Sequence, residues 1–213
     1  MGEIGTPYLR DPNAITRRSF ELIRAEADLS RVAPEARGLA TRLIHACGMI
    51  DLLDDLVFSE SAISAGRAAL ITGAPVLCDV EMVAAGIMRA RLPASNRVRC
   101  ALGEPGVTAE AEGRGMSRSA VAVERWRDDL AGAVVAIGSA PTALFRLIEL
   151  VTQGWNRPAV IIAMPVGFVG AAESKEALIT ADLGVPYVTV RGRRGGSALA
   201  AAAVNALARE DHL

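Results

Sequence analysis

Ala133-Val-Val-Ala-Ile-Gly-Ser-Ala-Pro-Thr142 and Ala159-Val-Ile-Ile-Ala-Met-Pro-Val-Gly-Phe-Val-Gly-Ala-Ala-Glu-Ser-Lys175 share one construction. Each opens on an unbroken run of Val, Ile and Ala, passes through a turn containing Gly and Pro, and continues at helical period. A strand with one wet face alternates apolar and polar side chains. These runs do not alternate, so both faces are covered, as in parallel sheets sandwiched between helices. Val185-Pro-Tyr-Val-Thr-Val190 before Arg191-Gly-Arg-Arg-Gly-Gly-Ser197 repeats the pattern. Toward the N-terminus, apolar runs at 74–80 and 97–102 end in turn residues and read as two more strands. The spacing predicts an α/β fold. It is a three-layer, mostly parallel, doubly wound sheet of about five strands, at 74–80, 97–102, 133–138, 159–164 and 185–190.

Helices are expected from Asp11, with Pro12 in a capped first turn, and from Pro34, whose helix turns Leu39, Leu43 and Ile44 inward. Others are expected at 60–71, 80–91, 117–130, 142–153, 172–181 and 197–209. Three of these precede any expected strand, free to cover a sheet face or to pair two subunits. The stretch 103–116 reads as a loop. No composition shift or internal repeat divides the chain, so residues 1–213 are expected to form one domain.

Twenty-three basic side chains against 24 acidic ones leave no broad positive footprint for nucleic acid. Four Phe, two Trp and two Tyr are too few for base-stacking platforms. With 51% hydrophobic and 22% charged residues, charge-driven disorder is excluded. Cys47, Cys78 and Cys100 are odd in number and form no Cys-x-x-Cys, which argues against a zinc site or a disulfide framework. The N-terminus lacks the basic and apolar regions of a signal peptide, and Gly and Pro interrupt the long uncharged runs. A soluble, cytoplasmic protein without a membrane partner is expected.

In an open parallel sheet, ligands bind beyond the carboxyl ends of the strands, where helix N-termini point amides outward. The turns at 138–142, 164–175 and 191–197 all fall there. Each glycine serves either the turn geometry or an anion; three such turns along one edge suit a ligand with several negative groups. Gly167, Gly170, Gly195 and Gly196 are the candidate contacts. Lys175, the only lysine beside 22 arginines, is another. No G-x-G-x-x-G, P-loop or G-x-S-x-G pattern is present, so dinucleotide, P-loop and hydrolase readings lose support. The histidines are His45 and His212. Neither has the companions for a metal site, Cys47 notwithstanding, and neither metal nor cofactor is expected. His45 shares a helix face with Arg42, whose guanidinium disfavours the imidazolium and leaves a neutral ring poised for proton exchange. The competing reading of His45 is a satisfied core histidine, and of Ser19, beside Arg17 and Arg18, a solvated polar residue.

Several segments, in order and nearly end to end, carry a resemblance. They are Tyr8-Leu-Arg-Asp-Pro-Asn-Ala-Ile, Arg18-Ser-Phe, Ile44-His-Ala-Cys-Gly, Pro75-Val-Leu-Cys-Asp-Val-Glu-Met-Val, Ser117-Arg-Ser-Ala and Ala136-Ile-Gly-Ser-Ala-Pro-Thr-Ala-Leu, with the turns that begin at Met164 and Val190. Together they resemble the precorrin-8X methylmutase (precorrin isomerase) family of cobalamin biosynthesis. The resemblance implies migration of the ring C methyl group of precorrin-8X from C-11 to C-12, giving hydrogenobyrinic acid. It also implies a homodimer with active sites near the subunit interface. His45 would be the proton donor and acceptor at ring C, and Ser19, Arg42, Arg118 and Ser119 would meet the substrate. A methyl shift around a conjugated macrocycle requires one proton handled near the ring, which a single imidazole can supply. Its carboxylates match the glycine turns and arginines. Overall likeness leans to the cobalt-free branch. The alternative is a carrier of the same fold that holds a tetrapyrrole without rearranging it.

Overall fold

A computed structural model describes residues 8–209, and His212 lies outside them. The chain runs α1 (Pro12–Glu26), α2 (Arg37–Cys47), β1 (Leu56–Phe58), α3 (Ala62–Ile71), β2 (Val76–Cys78), α4 (Glu81–Gly86), β3 (Val98–Cys100) and α5 (Val107–Arg114). It continues α6 (Arg118–Glu124), β4 (Val134–Ile137), α7 (Pro141–Thr152), β5 (Val160–Ala163), α8 (Ala171–Thr180), β6 (Tyr187–Val190) and α9 (Ser197–Leu207).

Alternate side chains of the central strands enter two different cores, which is why the apolar runs are continuous. Val76, Val134, Ala136, Val160, Ile162, Val188 and Val190 pack against α2, α3, α4 and α9. Leu77, Val135, Ile137, Ile161 and Ala163 pack against α5, α6, α7 and α8. Each fully buried Val, Leu or Ile contributes about 1.5–3 kcal/mol, so neither helical layer can be stripped off cheaply.

The sheet order is β1-β6-β5-β4-β2-β3, with β2 to β6 parallel and β1 antiparallel at the edge. The chain leaves β2 for β3, then crosses back to β4 on the other side. The order therefore reverses between β2 and β4, the switch point where such sheets open a crevice.

Four expectations change in detail. The sheet has a sixth strand, β1, in the stretch assigned no strand, so among the described residues two α-helices, not three, precede the first strand. Its three residues are half-buried and too short to show a period. Within 103–116 lies α5, entered through Gly106 (φ 86°) and left through Gly115 (φ 61°), with Val107 and Ala111 buried one turn apart. Glycines at both ends made a short helix read as a loop. The helix expected at 80–91 stops at Gly86, because Asn205 on α9 donates to the Gly86 carbonyl (3.0 Å) and accepts from the Met88 amide (2.8 Å). The one expected at 117–130 is α-helical only to Glu124. Beyond it the Arg125 and Trp126 amides bond three residues back, and Trp126 turns fully inward.

The missed strand positions the site. Leu56 pairs with Val190, the last residue of β6, so the chain enters β1 at the carboxyl edge of the parallel strands. The segment from the end of α2 to Asp55, including the 3-10 turn Ile50–Asp54, therefore reaches that edge.

Candidate functional site

Two neighbouring regions hold the sequence-predicted residues. The first is the pairing of α1 with α2. Asp11 caps α1 by accepting from the Asn13 and Ala14 amides (3.1 and 3.2 Å), and α2 closes on Gly48 in the left-handed region (φ 71°). Phe20 of α1 is buried between the two helices. His45 stacks on its ring at 5.1 Å and 24°, and the Arg42 Cζ lies 5.5 Å from the same centroid. His45 is exposed, not a core histidine. With Ser19, Leu22, Ile23, Glu26, Ile44, Gly48 and Ile50 it lines a cleft of about 410 Å³. The Ser19 hydroxyl donates to the Ile15 carbonyl (2.9 Å), which leaves its oxygen able to accept from a ligand.

The second region is the carboxyl edge of the sheet. Its first turn is filled from within. Asp79, at the end of β2 and 1% exposed, reaches across the switch point. Its carboxylate accepts from the amides of Gly138 (2.9 Å), Ser139 (2.9 Å) and Ala140 (2.8 Å). Burial raises its carboxyl above the ordinary value, while the three amides pull the other way. The turn at 138–142 is thus no open anion cradle, contrary to the expectation. The other two turns bond to each other. Gly167 donates to the Arg193 carbonyl (3.3 Å), and Gly196 donates to the Met164 carbonyl (2.7 Å). Gly195 allows that approach, since a Cβ there would lie 2.5 Å from the Pro165 carbonyl oxygen. Gly170 (φ 80°) lies against Pro141 of α7. Close backbone packing explains Gly195 alone; Gly167 (φ 142°), Gly170 and Gly196 (φ 123°) supply left-handed turn conformations, and the Gly167 and Gly196 amides are already committed.

Lys175 is not a loop-edge ammonium. It sits on α8 with 0% exposure, and its Nζ donates to the Arg194 carbonyl at 2.7 Å. Burial pushes it down to about 8, against the pull of Asp55 and Glu176. The loop arginines are divided. Arg191 pairs with Glu176 (2.6 Å), and Arg194 pairs with Asp51 (2.8 Å) and Asp55. Through Arg194 the β6–α9 turn is tied to the segment that follows the His45 helix, which brings the two regions side by side.

Arg118 opens α6 and is exposed, without an acidic partner among the described residues; Ser119 beside it is half-buried. Ser117 caps α6 by accepting from the Ala120 amide (3.2 Å) and donates to the Thr142 hydroxyl (2.6 Å), which joins α6 to the start of α7. Among the described residues no group of three His, Cys, Asp or Glu side chains could hold a metal ion, and no helix is long and apolar enough to cross a membrane. Larger clefts of about 620 and 450 Å³ lie beside α3 and beside the start of β6, and none of the predicted residues lines them. Sequence reasoning missed Phe20 and Asp79. An acid immediately after a buried strand, at the position where the sheet order reverses, was the available signal for Asp79.

Comparison with known proteins agrees with this architecture. A family model described as precorrin-8X methylmutase matches residues 14–210. A precorrin-8X methylmutase of Pseudomonas aeruginosa is 61% identical over 203 residues, spanning 95% of this chain and 98% of that protein. One from Sinorhizobium sp is 57% identical, spanning 95% and 96%. A cobalt-precorrin-8 methylmutase of Priestia megaterium is 36% identical, spanning 94% and 89%. A crystal structure of the Thermus thermophilus precorrin-8X methylmutase superposes with a TM-score of 0.84 at 38% identity, covering 92% of this chain and 95% of that one.

Proposed function

The chain belongs to the precorrin-8X methylmutase family, isomerases of cobalamin biosynthesis, and we propose that it moves the ring C methyl group of precorrin-8X from C-11 to C-12 with His45 handling the proton. An isomerisation conserves atoms, so a proton taken from one position of the macrocycle must be given back at another. Imidazole both gives and takes a proton near neutral pH, and one such group can serve both steps. A single placement carries the reading. His45 is exposed on a cleft it shares with Ser19, and its ring is held flat against Phe20, which restricts where its nitrogens point. A fixed ring is what proton transfer requires, since geometry precedes pKa in such catalysis.

In this proposal Ser19 accepts a hydrogen bond from the substrate and Arg42 lies one contact behind it, across Phe20. Arg118 and Ser119 meet carboxylates at the carboxyl edge. The glycines at 167, 170, 195 and 196 shape that edge, Gly195 by close packing and the other three by turn conformations at positive φ. Lys175 acts from beneath it by holding the Arg194 carbonyl. No described residue calls for a metal or redox cofactor in this scheme. The metal-free substrate is favoured by the higher identity to relatives named for precorrin-8X than to one named for cobalt-precorrin-8. We also propose a homodimer of single-domain chains in the cytoplasm, where the three free thiols would stay reduced. Exposed apolar residues along α1, Ile15 and Leu22, supply surface for a second copy to bury.

The test is incubation of the purified protein with precorrin-8X, followed by absorbance, because the rearranged chromophore changes colour. Conversion to hydrogenobyrinic acid is expected. Binding without conversion would instead favour the carrier. Light scattering should give about twice 22.3 kDa, and a monomer at micromolar concentration would refute the dimer.

A further inference from the structure

We propose that Phe168 and Arg193, at the tips of the β5–α8 and β6–α9 turns, form a contact platform for the macrocycle, Phe168 against its face and Arg193 on a peripheral carboxylate. This rests on the reading above and assigns two residues to the same site. Phe168 is 83% exposed and Val169 is 89% exposed, at the carboxyl edge of the sheet. Large apolar side chains held that far into solvent mark a contact surface more often than a packing accident when they are adjacent. The Arg193 Cζ stands 5.1 Å from the Phe168 ring centroid. Its neighbours Arg191 and Arg194 are paired with acids, whereas Arg193 has no acidic partner among the described residues.

The pair is also held in place. The Gly167 amide bonds to the Arg193 carbonyl, so the two turns are stitched together directly beneath the ring and the guanidinium. Arg194, one residue on, is clamped by Asp51 and Asp55 of the segment that follows the His45 helix. The platform therefore adjoins the elements that carry the proposed proton-transfer group. A flat conjugated ring with carboxylates on its rim fits both features at once. It offers a face for the phenyl ring and an anion for bidentate capture by the guanidinium.

The experiment titrates hydrogenobyrinic acid by absorbance into wild type, Phe168→Ala, Arg193→Ala and Arg193→Lys, with light scattering on each. Losing a buried phenyl contact or one charge-assisted hydrogen bond should weaken binding by roughly 10- to 100-fold. Arg193→Ala should also flatten the salt dependence of the dissociation constant, and Arg193→Lys should recover only part of the affinity, because an ammonium lacks the planar fork. Unchanged dissociation constants in both alanine variants, with a wild type that binds and isomerises, would overturn this inference and leave the proposed function standing. Conversion of a dimer to monomers by Phe168→Ala would assign the patch to a second copy and overturn it too. A wild type that neither binds product nor turns over substrate would remove the proposed function, and this inference with it.

Discussion

Asp79→Ala should loosen the joint between β2 and α7 and cost about 2–4 kcal/mol. The carboxylate now accepts from three amides in succession. The Gly138 amide is buried, and leaving a buried donor unmade costs about 1–3 kcal/mol. Ser139 and Ala140 are half-buried, so water can reach them, and each loses about 0.5–1 kcal/mol. Relief from burying a carboxylate, the effect that raises its pKa, offsets part of the total. For a chain of this size the expected loss lowers Tm by roughly 5–15 °C. Asp79→Asn is the sharper variant, because it keeps the shape. Its side chain offers one acceptor oxygen and turns an NH2 group toward amides that also donate, so it should recover little of the loss. Urea and thermal unfolding followed by circular dichroism measure both variants. If Asp79→Asn falls within about 0.5 kcal/mol of wild type at pH 7, the carboxylate does not hold the turn, and the account of this joint is wrong.

Three other outcomes are expected. Gly195→Ala should destabilise by about 1–3 kcal/mol through overpacking, because the new methyl meets the backbone oxygens of Met164 and Pro165, which cannot rotate away; unfolding at wild-type denaturant concentration would refute this. Lys175 keeps its proton to about 8 folded but to about 10.5 unfolded, so between those values the unfolded chain binds more protons and stability rises with pH, by at most about 3 kcal/mol. The raised thiols of Cys78 and Cys100 act in the opposite sense, so the measurement is the pH 8–10 slope of wild type minus that of Lys175→Met, which should be positive. Arg118→Ala should weaken hydrogenobyrinic acid binding by about 1.5–3 kcal/mol with the fold intact, as measured by absorbance titration.

The parallel sheet was legible because β4, β5 and most of β6 are buried on both faces, a condition that leaves a nearly continuous apolar run in the sequence. β1 was not, because an antiparallel edge strand of three half-buried residues has no room to show alternation. Helix ends set by distant partners were equally silent. α4 stops at Gly86, whose carbonyl accepts from Asn205, 119 residues away. At the site, His45 stood out by residue type and Ser19 entered only through the family resemblance; the structure sets the two on one cleft. The glycine turns were read as anion cradles because an amide's partner cannot be seen in a sequence. Asp79 and the carbonyls of Arg193 and Met164 turned out to hold several of those amides. Lys175 misled for the same reason, since its position beside glycines suggested exposure while α8 turns it inward.

The central claim, that His45 moves the proton of a methyl shift, is tested most directly by comparing wild type with His45→Ala in two assays on one preparation. Conversion of precorrin-8X followed by absorbance should slow by at least about 10², the lower bound for losing a general acid and base. Hydrogenobyrinic acid binding should stay close to wild type, because macrocycle burial and carboxylate contacts supply most of the affinity. Turnover at the wild-type rate would contradict the claim, and would mean that the exposed imidazole on Phe20 takes no part in the chemistry.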